Sequence, residues 1–396
     1  MKKILAILLA AMLMFSTAAV AFGADTADGA KQLQFGEDGS FTIMNICDIQ
    51  DIYPMNRTSH TFIEEALALY KPDLVILGGD NTVADQQDMP DAIKEICDLF
   101  VSSKTYFTLV FGNHDEEHGV SKQDMFAYYQ QFGGEYCLAY EADEALSGVG
   151  THNLTILSSD GKKTAFNLYM FDSGAYAQDE NGNGVGYDSV HEDQIEWYKN
   201  TSAALAAQNG GEVVPAMAFQ HIIVQEAYDA LFIESPSDSV NLGQKYDKKS
   251  YTFLPKVANI LSGLMMEWPC PGYYNHGQLS AMAEVGDMVA VVNGHDHVNN
   301  FTVRREGIDI VSTSGCTYHS YGKVANRGCR IIELNEKNPR NYKSFTYTVA
   351  EQALKKDSQV SKQGDLSKAG AFFGILGGKL LEGVTGIAKV VFFFVK

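Results

Sequence analysis

The sequence predicts an α/β fold grown from a βαβαβ unit, and three observations carry that prediction. Short apolar runs at 41–47, 74–77 and 106–111 alternate with two stretches of helical periodicity. The runs recur at roughly thirty-residue spacing, the length of a strand plus its crossover helix. Each run also stops at a residue with a ligating oxygen: Asp48, Asp80 or Asn113. Two later runs stop at His221 and at Gly294-His295-Asp296-His297. Sites in such sheets gather at the carboxyl ends of strands.

The elements follow in order. Lys2 and Lys3, the apolar stretch from Ile4 to Phe15 and the small-residue motif Ala19-Val20-Ala21 read as a secretory signal over residues 1–23. The mature chain is therefore expected outside the cytoplasm, secreted or at the cell surface. A polar linker runs to about Asp38 and the main domain spans 38–350. The stretch 351–396 is a linker and a Gly-rich apolar tail. Phe41 to Cys47 is a buried strand delivering Asp48, with Gln50 two residues on. Thr58 to Tyr70 is a helix that Pro72 ends. Leu74 to Leu77 is a strand running into Gly78-Gly79-Asp80-Asn81. Asp91 to Val101 places Ile93, Ile96, Cys97 and Phe100 on one helical face. Tyr106 to Phe111 then runs into Gly112-Asn113-His114-Asp115. Further on, Ala165 to Phe171 is a strand, His191 to Gln208 a helix and Ala216 to Phe219 a strand before His221. Ile308 to Ser312 and Cys329 to Leu334 are strands expected to finish a second sheet.

Composition excludes some functions. A formal charge of −19 disfavours binding to a nucleic-acid backbone, which needs Lys and Arg. It leaves small phosphate substrates open, because bound metal ions are locally positive. Six cysteines without a C-x-x-C pair are too sparse for a disulfide scaffold or a zinc knuckle. Asp179 to Gly184 opens like a calcium loop, yet the twelfth position is Val190, which cannot chelate, so a turn is expected.

Asp48, Asp80, Asn113, His221, His295 and His297 make an oxygen and imidazole set with no thiolate, suited to Zn, Mn or Fe. Asp80, in its tight glycine turn, is the natural bridging carboxylate for two ions. His114 adjoins Asn113 and is followed by Asp115, the placement expected of a general acid and its carboxylate partner.

The blocks D-x-Q, G-G-D-N, G-N-H-D, Q-H and G-H-D-H together resemble the calcineurin-like metallophosphoesterases, whose blocks read D-x-H, G-D, G-N-H-D/E, H and G-H-x-H. The likeness is to the small purple-acid-phosphatase-like branch. It is carried further by Leu168–Ser173, Gln194–Tyr198, Phe219–Ile222, Gly294–Asn299 and Arg327–Arg330. The resemblance implies two mixed β-sheets packed as a sandwich and flanked by helices. It implies two metal ions: Asp48, Asp80 and His297 on one, Asp80, Asn113, His221 and His295 on the other. His114 would be the acid, oriented by Asp115. Two departures stand out. Gln50 replaces the usual His, and would offer an amide oxygen to the first metal or hold a water. Val83 replaces the tyrosine of true purple acid phosphatases, so no tyrosinate–iron colour is expected.

The expected function is phosphomonoester hydrolysis by attack of a metal-bound hydroxide, with His114 protonating the leaving oxygen. Arg330, Asn113 and His114 are candidates to touch substrate, with Tyr187, Tyr318, His319 and Arg327 around them. The alternatives are a phosphodiesterase on nucleotides or phospholipid headgroups, and a metal-binding surface module with weakened catalysis. The tail, 371–396, is read as an interfacial or partner-docking helix, or as a last helix packed on its own domain.

Overall fold

The computed structural model describes residues 31–235, 249–252 and 256–394. The expected signal sequence lies outside them. Three strands, β2 (Ser40–Ile46), β3 (Leu74–Gly78) and β4 (Phe107–Val110), pair in parallel. The helices α1 (Arg57–Tyr70) and α2 (Met89–Ser103) connect them, completing the expected βαβαβ unit. Local chemistry starts α1: the Asn56 side chain accepts from the backbone N–H groups of Thr58 and Ser59, satisfying two donors at the helix start.

A second, seven-stranded sheet contains β5 (His152–Leu157), β6 (Thr164–Met170), β9 (Ala216–Gln220), β10 (Met288–Asn293) and β12 (Ile308–Ser312). Its edges are β1 (Leu33–Gln34) and β11 (Thr302–Arg305). Here β9 and β10 run parallel, so His221 and Gly294 leave the sheet at the same end.

Strand alternation builds the core. Ile43, Leu74 and Ile76 of the first sheet face Phe219, Ala290 and Val292 of the second. The neighbours Met44, Val75 and Leu77 turn outward onto α1 and α2, joined by α3 (Lys122–Gly133). On the other side Ala218 and Val291 pack under α4 (Glu192–Gln208), α5 (Glu226–Leu231) and α6 (Gln278–Val285). Period-two burial on both faces is what a sheet covered on both sides requires. The result is a four-layer sandwich of helix, sheet, sheet and helix.

Several expectations are corrected. Cys329 to Leu334 lies in β13 (Gly328–Asn335), which joins the first sheet and not the second. It pairs antiparallel with β2 and forms a hairpin with β14 (Lys343–Thr348). Leu33 and Phe35, read as linker, are buried between the sheets, so the fold starts before residue 38. At the far end α7 (Val349–Leu354) is capped by Thr348 and Glu351, and Val360, Leu366 and Ala371 enter the core under the first sheet. The domain thus continues past residue 350. The Asp179–Gly184 stretch closes the hairpin of β7 (Tyr176–Gln178) and β8 (Gly184–Tyr187). There the Asp179 carboxylate accepts from Asn181 and Asn183, a polar turn. All six cysteines are free thiols.

The last helix, α8 (Lys368–Phe394), does not bury its apolar residues evenly. Ala371 and Ile375 pack on the domain, and Lys379 and Glu382 line a hollow of about 240 Å³ beneath the helix. Phe372, Phe373, Leu376, Leu380, Leu381 and Val384 are exposed. Among the described residues no helix is long and apolar enough to cross a membrane.

Candidate metal centre

Five strand ends converge, and the backbone there is held in a conformation that side chains usually avoid. Seven non-glycine residues have positive φ among those described, and four of them are Asp48 (+52°), Gln50 (+39°), Asp80 (+51°) and His295 (+73°). Such residues cost on the order of 1–3 kcal/mol each and persist where their surroundings fix them. Asp48 N–H donates to Gly79 O at 3.0 Å, Gln50 N–H to Asp80 O at 2.8 Å, and His295 N–H to the Asp48 carboxylate at 3.2 Å. The glycines let the loops close. A Cβ on Gly112 would fall 2.1 Å from Asp80 Oδ1, and one on Gly79 (φ +90°) would fall 2.5 Å from His221 Nδ1.

The side chains form two groups. Asp80, His221 and His295 bring one ligand atom each within 4.8 Å of one another, and so do Asp48, Asp80 and His297. All five residues are buried, and Asp80 belongs to both groups. His221 Nδ1 is engaged by Gly78 O at 2.9 Å and His297 Nδ1 by Tyr321 O at 3.2 Å, so each ring turns Nε2 inward. Asn113 Oδ1, His221 Nε2 and His295 Nε2 are buried with no hydrogen-bond partner. Although His221 Nε2 lies 3.2 Å from Asp80 Oδ2, the contact lacks hydrogen-bond direction. Buried polar atoms without partners are costly, and convergent ones are what a cation would satisfy. The donor set fits a metal ion of the Zn, Mn or Fe class.

Electrostatics point the same way. Burial pushes the Asp48 carboxyl well above its usual range, with Asp80 adding to the effect and His221 opposing it. Burial would raise Asp80 too, but His221, His114 and His295 hold it below. The His221 ring is pulled up to about 10 by Asp80 and Asp48, against its own burial. Burial lowers His295 to about 3, with the His221 charge adding to it, and lowers His297 to about 4. Within ion-pair distance, the partners of Asp48 and Asp80 are histidines.

Around this centre three expectations change. Gln50 turns its amide nitrogen to the bridging residue, Nε2 donating to Asp80 Oδ2 at 2.8 Å, so it supports that carboxylate where a ligating oxygen was expected. Asp115 does not orient His114. Its carboxylate accepts from Gly112 N–H at 2.8 Å, Asn81 N–H at 2.9 Å and Thr82 N–H at 3.3 Å, tying together the loops that carry Asp80 and Asn113. Arg330 is buried and spends its guanidinium on Thr313, Ser344 and the carbonyls of Asn300 and Ser312, which removes it as a substrate contact. Arg327 lies over the Tyr318 ring at 4.5 Å.

The family model for calcineurin-like phosphoesterases matches residues 41–299. The chain belongs to this family. This phosphoesterase is 27% identical over 339 residues to a protein named "Probable inactive purple acid phosphatase 14" from Arabidopsis thaliana, covering 77% of this chain and 78% of that one. It is 26% identical to "Phosphatase DCR2" of Saccharomyces cerevisiae over 70% of this chain and 47% of the yeast protein. A solved dimetal phosphatase from Danio rerio matches 78% of this chain and 99% of its own, at 13% identity and a TM-score of 0.45.

In the phosphoesterase, His114 is about one-third exposed at the edge of the centre, its backbone N–H donating to Asp80 Oδ1 at 2.8 Å. Together with Gln50, Glu117, His118, His297, His319 and Tyr321 it lines an open depression of about 400 Å³. Sequence reasoning missed two residues beside it. Glu117 Oε2 lies 2.5 Å from His114 Nδ1, and Tyr176 donates its hydroxyl to Glu117 Oε1 at 2.5 Å. The i, i+3 spacing of His114 and Glu117 was a visible signal, whereas nothing near Tyr176 announced its role. Tyr321 was missed as well; it stacks on His297 at 4.2 Å between ring centroids.

Proposed function

We propose that this chain is an exported phosphomonoesterase with a two-metal centre held by Asp48, Asp80, Asn113, His221, His295 and His297. The observation that carries the reading is the position of Asp80, shared by two buried Asp/His groups, with the Nε2 atoms of His221 and His295 and the Oδ1 of Asn113 buried beside it without partners. Two ions held there would polarise the phosphoryl oxygens and make water a strong nucleophile at neutral pH. The chain's own residues supply the rest. Asp80 and Asp48 place negative charge where cations are wanted, and Gln50 steadies the shared carboxylate. With its Nδ1–H held by Glu117, the His114 imidazolium would give its Nε2 proton to the leaving oxygen. His118 and His319, on the same depression, offer further donors for a phosphate dianion.

Metal-dependent release of phosphate from p-nitrophenyl phosphate by the mature chain, abolished in Asn113→Ala, tests the reading. Faster turnover of bis-p-nitrophenyl phosphate would move the substrate to diesters. A second reading, a metal-binding module with weakened turnover, is favoured by Gln50 in place of an imidazole and by the word "inactive" in the plant relative's name. The intact His114 and the other six ligand positions of the family pattern favour an enzyme. Two metals per chain without hydrolysis of any phosphoester would decide for the module. For the tail we propose contact with a lipid surface. The apolar face of α8 points away from the domain while Lys379 and Glu382 face it. Liposome flotation with and without residues 371–396 tests this.

A further inference from the structure

The residue next to a general acid in sequence is not the one that holds it. Asp115 accepts from three backbone N–H groups, and none of its hydrogen bonds goes to the His114 imidazole. His114 Nδ1 meets Glu117 Oε2 at 2.5 Å instead, three residues further on across a turn. The second oxygen, Glu117 Oε1, accepts from the Tyr176 hydroxyl at 2.5 Å. That hydroxyl in turn accepts from Asn113 Nδ2 at 3.2 Å, which leaves Asn113 Oδ1 facing the metal centre without a partner. A closed ring of His114, Glu117, Tyr176 and Asn113 therefore ties the acid to the neighbouring metal ligand through side chains as well as through the peptide bond. Tyr176 arrives from the β7–β8 hairpin, where it stacks on Tyr187 at 5.8 Å, and Tyr187 stands edge-on against His295 at 4.3 Å.

We propose that Glu117 is the positioning residue for His114, and that Tyr176 fixes both Glu117 and the Asn113 amide. This rests on the reading of His114 as the acid. The physical case has two parts. A carboxylate on Nδ1 holds a proton on that nitrogen, so the imidazolium presents its second proton on Nε2, the nitrogen directed to the substrate. Glu117 and His114 are both about one-third exposed, at 37% and 38%, so without a second anchor the pair would exchange with water. The tyrosine hydroxyl is that anchor. Its acceptor role towards Asn113 also sets which end of the amide faces the ligand cluster, a task commonly given to residues behind metal ligands.

The test uses the full mature chain with Glu117→Gln and Tyr176→Phe, neither of which removes bulk. Glu117→Gln should lower kcat on an alkyl phosphate such as glycerol 2-phosphate by about 10–100-fold, the usual loss for such supporting partners. The loss on p-nitrophenyl phosphate should be clearly smaller, because that leaving group needs little protonation, with KM and metal content held. Tyr176→Phe should shift the same ratio less far. Independently of turnover, ¹⁵N spectra of labelled histidine should show that the imidazolium of His114 gives up its Nε2 proton, leaving the neutral ring protonated on Nδ1 in the wild type, whereas in Glu117→Gln the remaining proton is distributed over both nitrogens. Equal losses on both esters, or an unchanged tautomer, would overturn the assignment. If the wild type hydrolyses neither ester, the phosphoesterase reading fails, while the tautomer still decides the role of Glu117.

Discussion

At the scale of residues, Asp80 is the pivot, since both ligand groups, the His114 backbone and the Gln50 amide converge on its carboxylate. Asp80→Ala is expected to lose metal and activity together, measured as metal content and turnover on one sample. His114→Ala should retain both metals and lose about 10²–10⁴-fold in kcat, the range for general acids, most on alkyl esters. Protonation gives a third expectation. With His221 raised to about 10, the metal-free ring is charged at pH 7 and must lose that proton to ligate. His295 and His297, lowered to about 3 and 4, are already neutral. Metal binding should therefore release protons at pH 7, and apparent affinity should rise with pH up to about 10. Calorimetry in buffers of different ionisation heat reads this directly; proton uptake, or none, would contradict it. The residues that converge in the two Asp/His groups could be picked out because each sits at the end of an apolar run. The partner of His114 was not, because adjacency in a turn does not say where a carboxylate points: Asp115 folds back onto Gly112, and Glu117 comes round to the ring.

At the scale of elements, function depends on how tightly strand ends can turn. Gly112 has room for nothing larger, with a Cβ 2.1 Å from Asp80 Oδ1. Gly112→Ala should destabilise the fold by about 1–3 kcal/mol, as overpacking does, and weaken metal binding by displacing Asp80. A variant with wild-type Tm and metal content would show that the loop has slack the structure lacks. The strands of the βαβαβ unit were readable from periodicity, because each carries its own buried run. The sheet that β13 joins was not: Cys329–Leu334 is equally apolar in either sheet, and only its antiparallel pairing with β2 decides. The two-residue β1 and the β7–β8 hairpin that delivers Tyr176 are too short to give a pattern. In α8 the apolar composition was plain, yet its division into a packed and an exposed face follows from where Ala371 and Ile375 meet the domain.

At the scale of the whole molecule, two sheets bring five strand ends to one place, and helices on both outer faces seal them. On the proposed two-metal reading, the buried carboxylates should make the protein without metal less stable than the loaded one. Ions that bind only the native state stabilise it by about 2.7 kcal/mol at a hundred times Kd, so chelation should lower Tm and added Zn or Mn should restore it. A Tm indifferent to both would remove the metal centre from the account. The most direct test of the central claim is hydrolysis of p-nitrophenyl phosphate and bis-p-nitrophenyl phosphate by the mature chain, with Mn, Zn or Fe supplied and Asn113→Ala as control. The account predicts turnover that requires metal, favours the monoester and disappears in the variant. Two bound metals per chain and no turnover of either ester would contradict it.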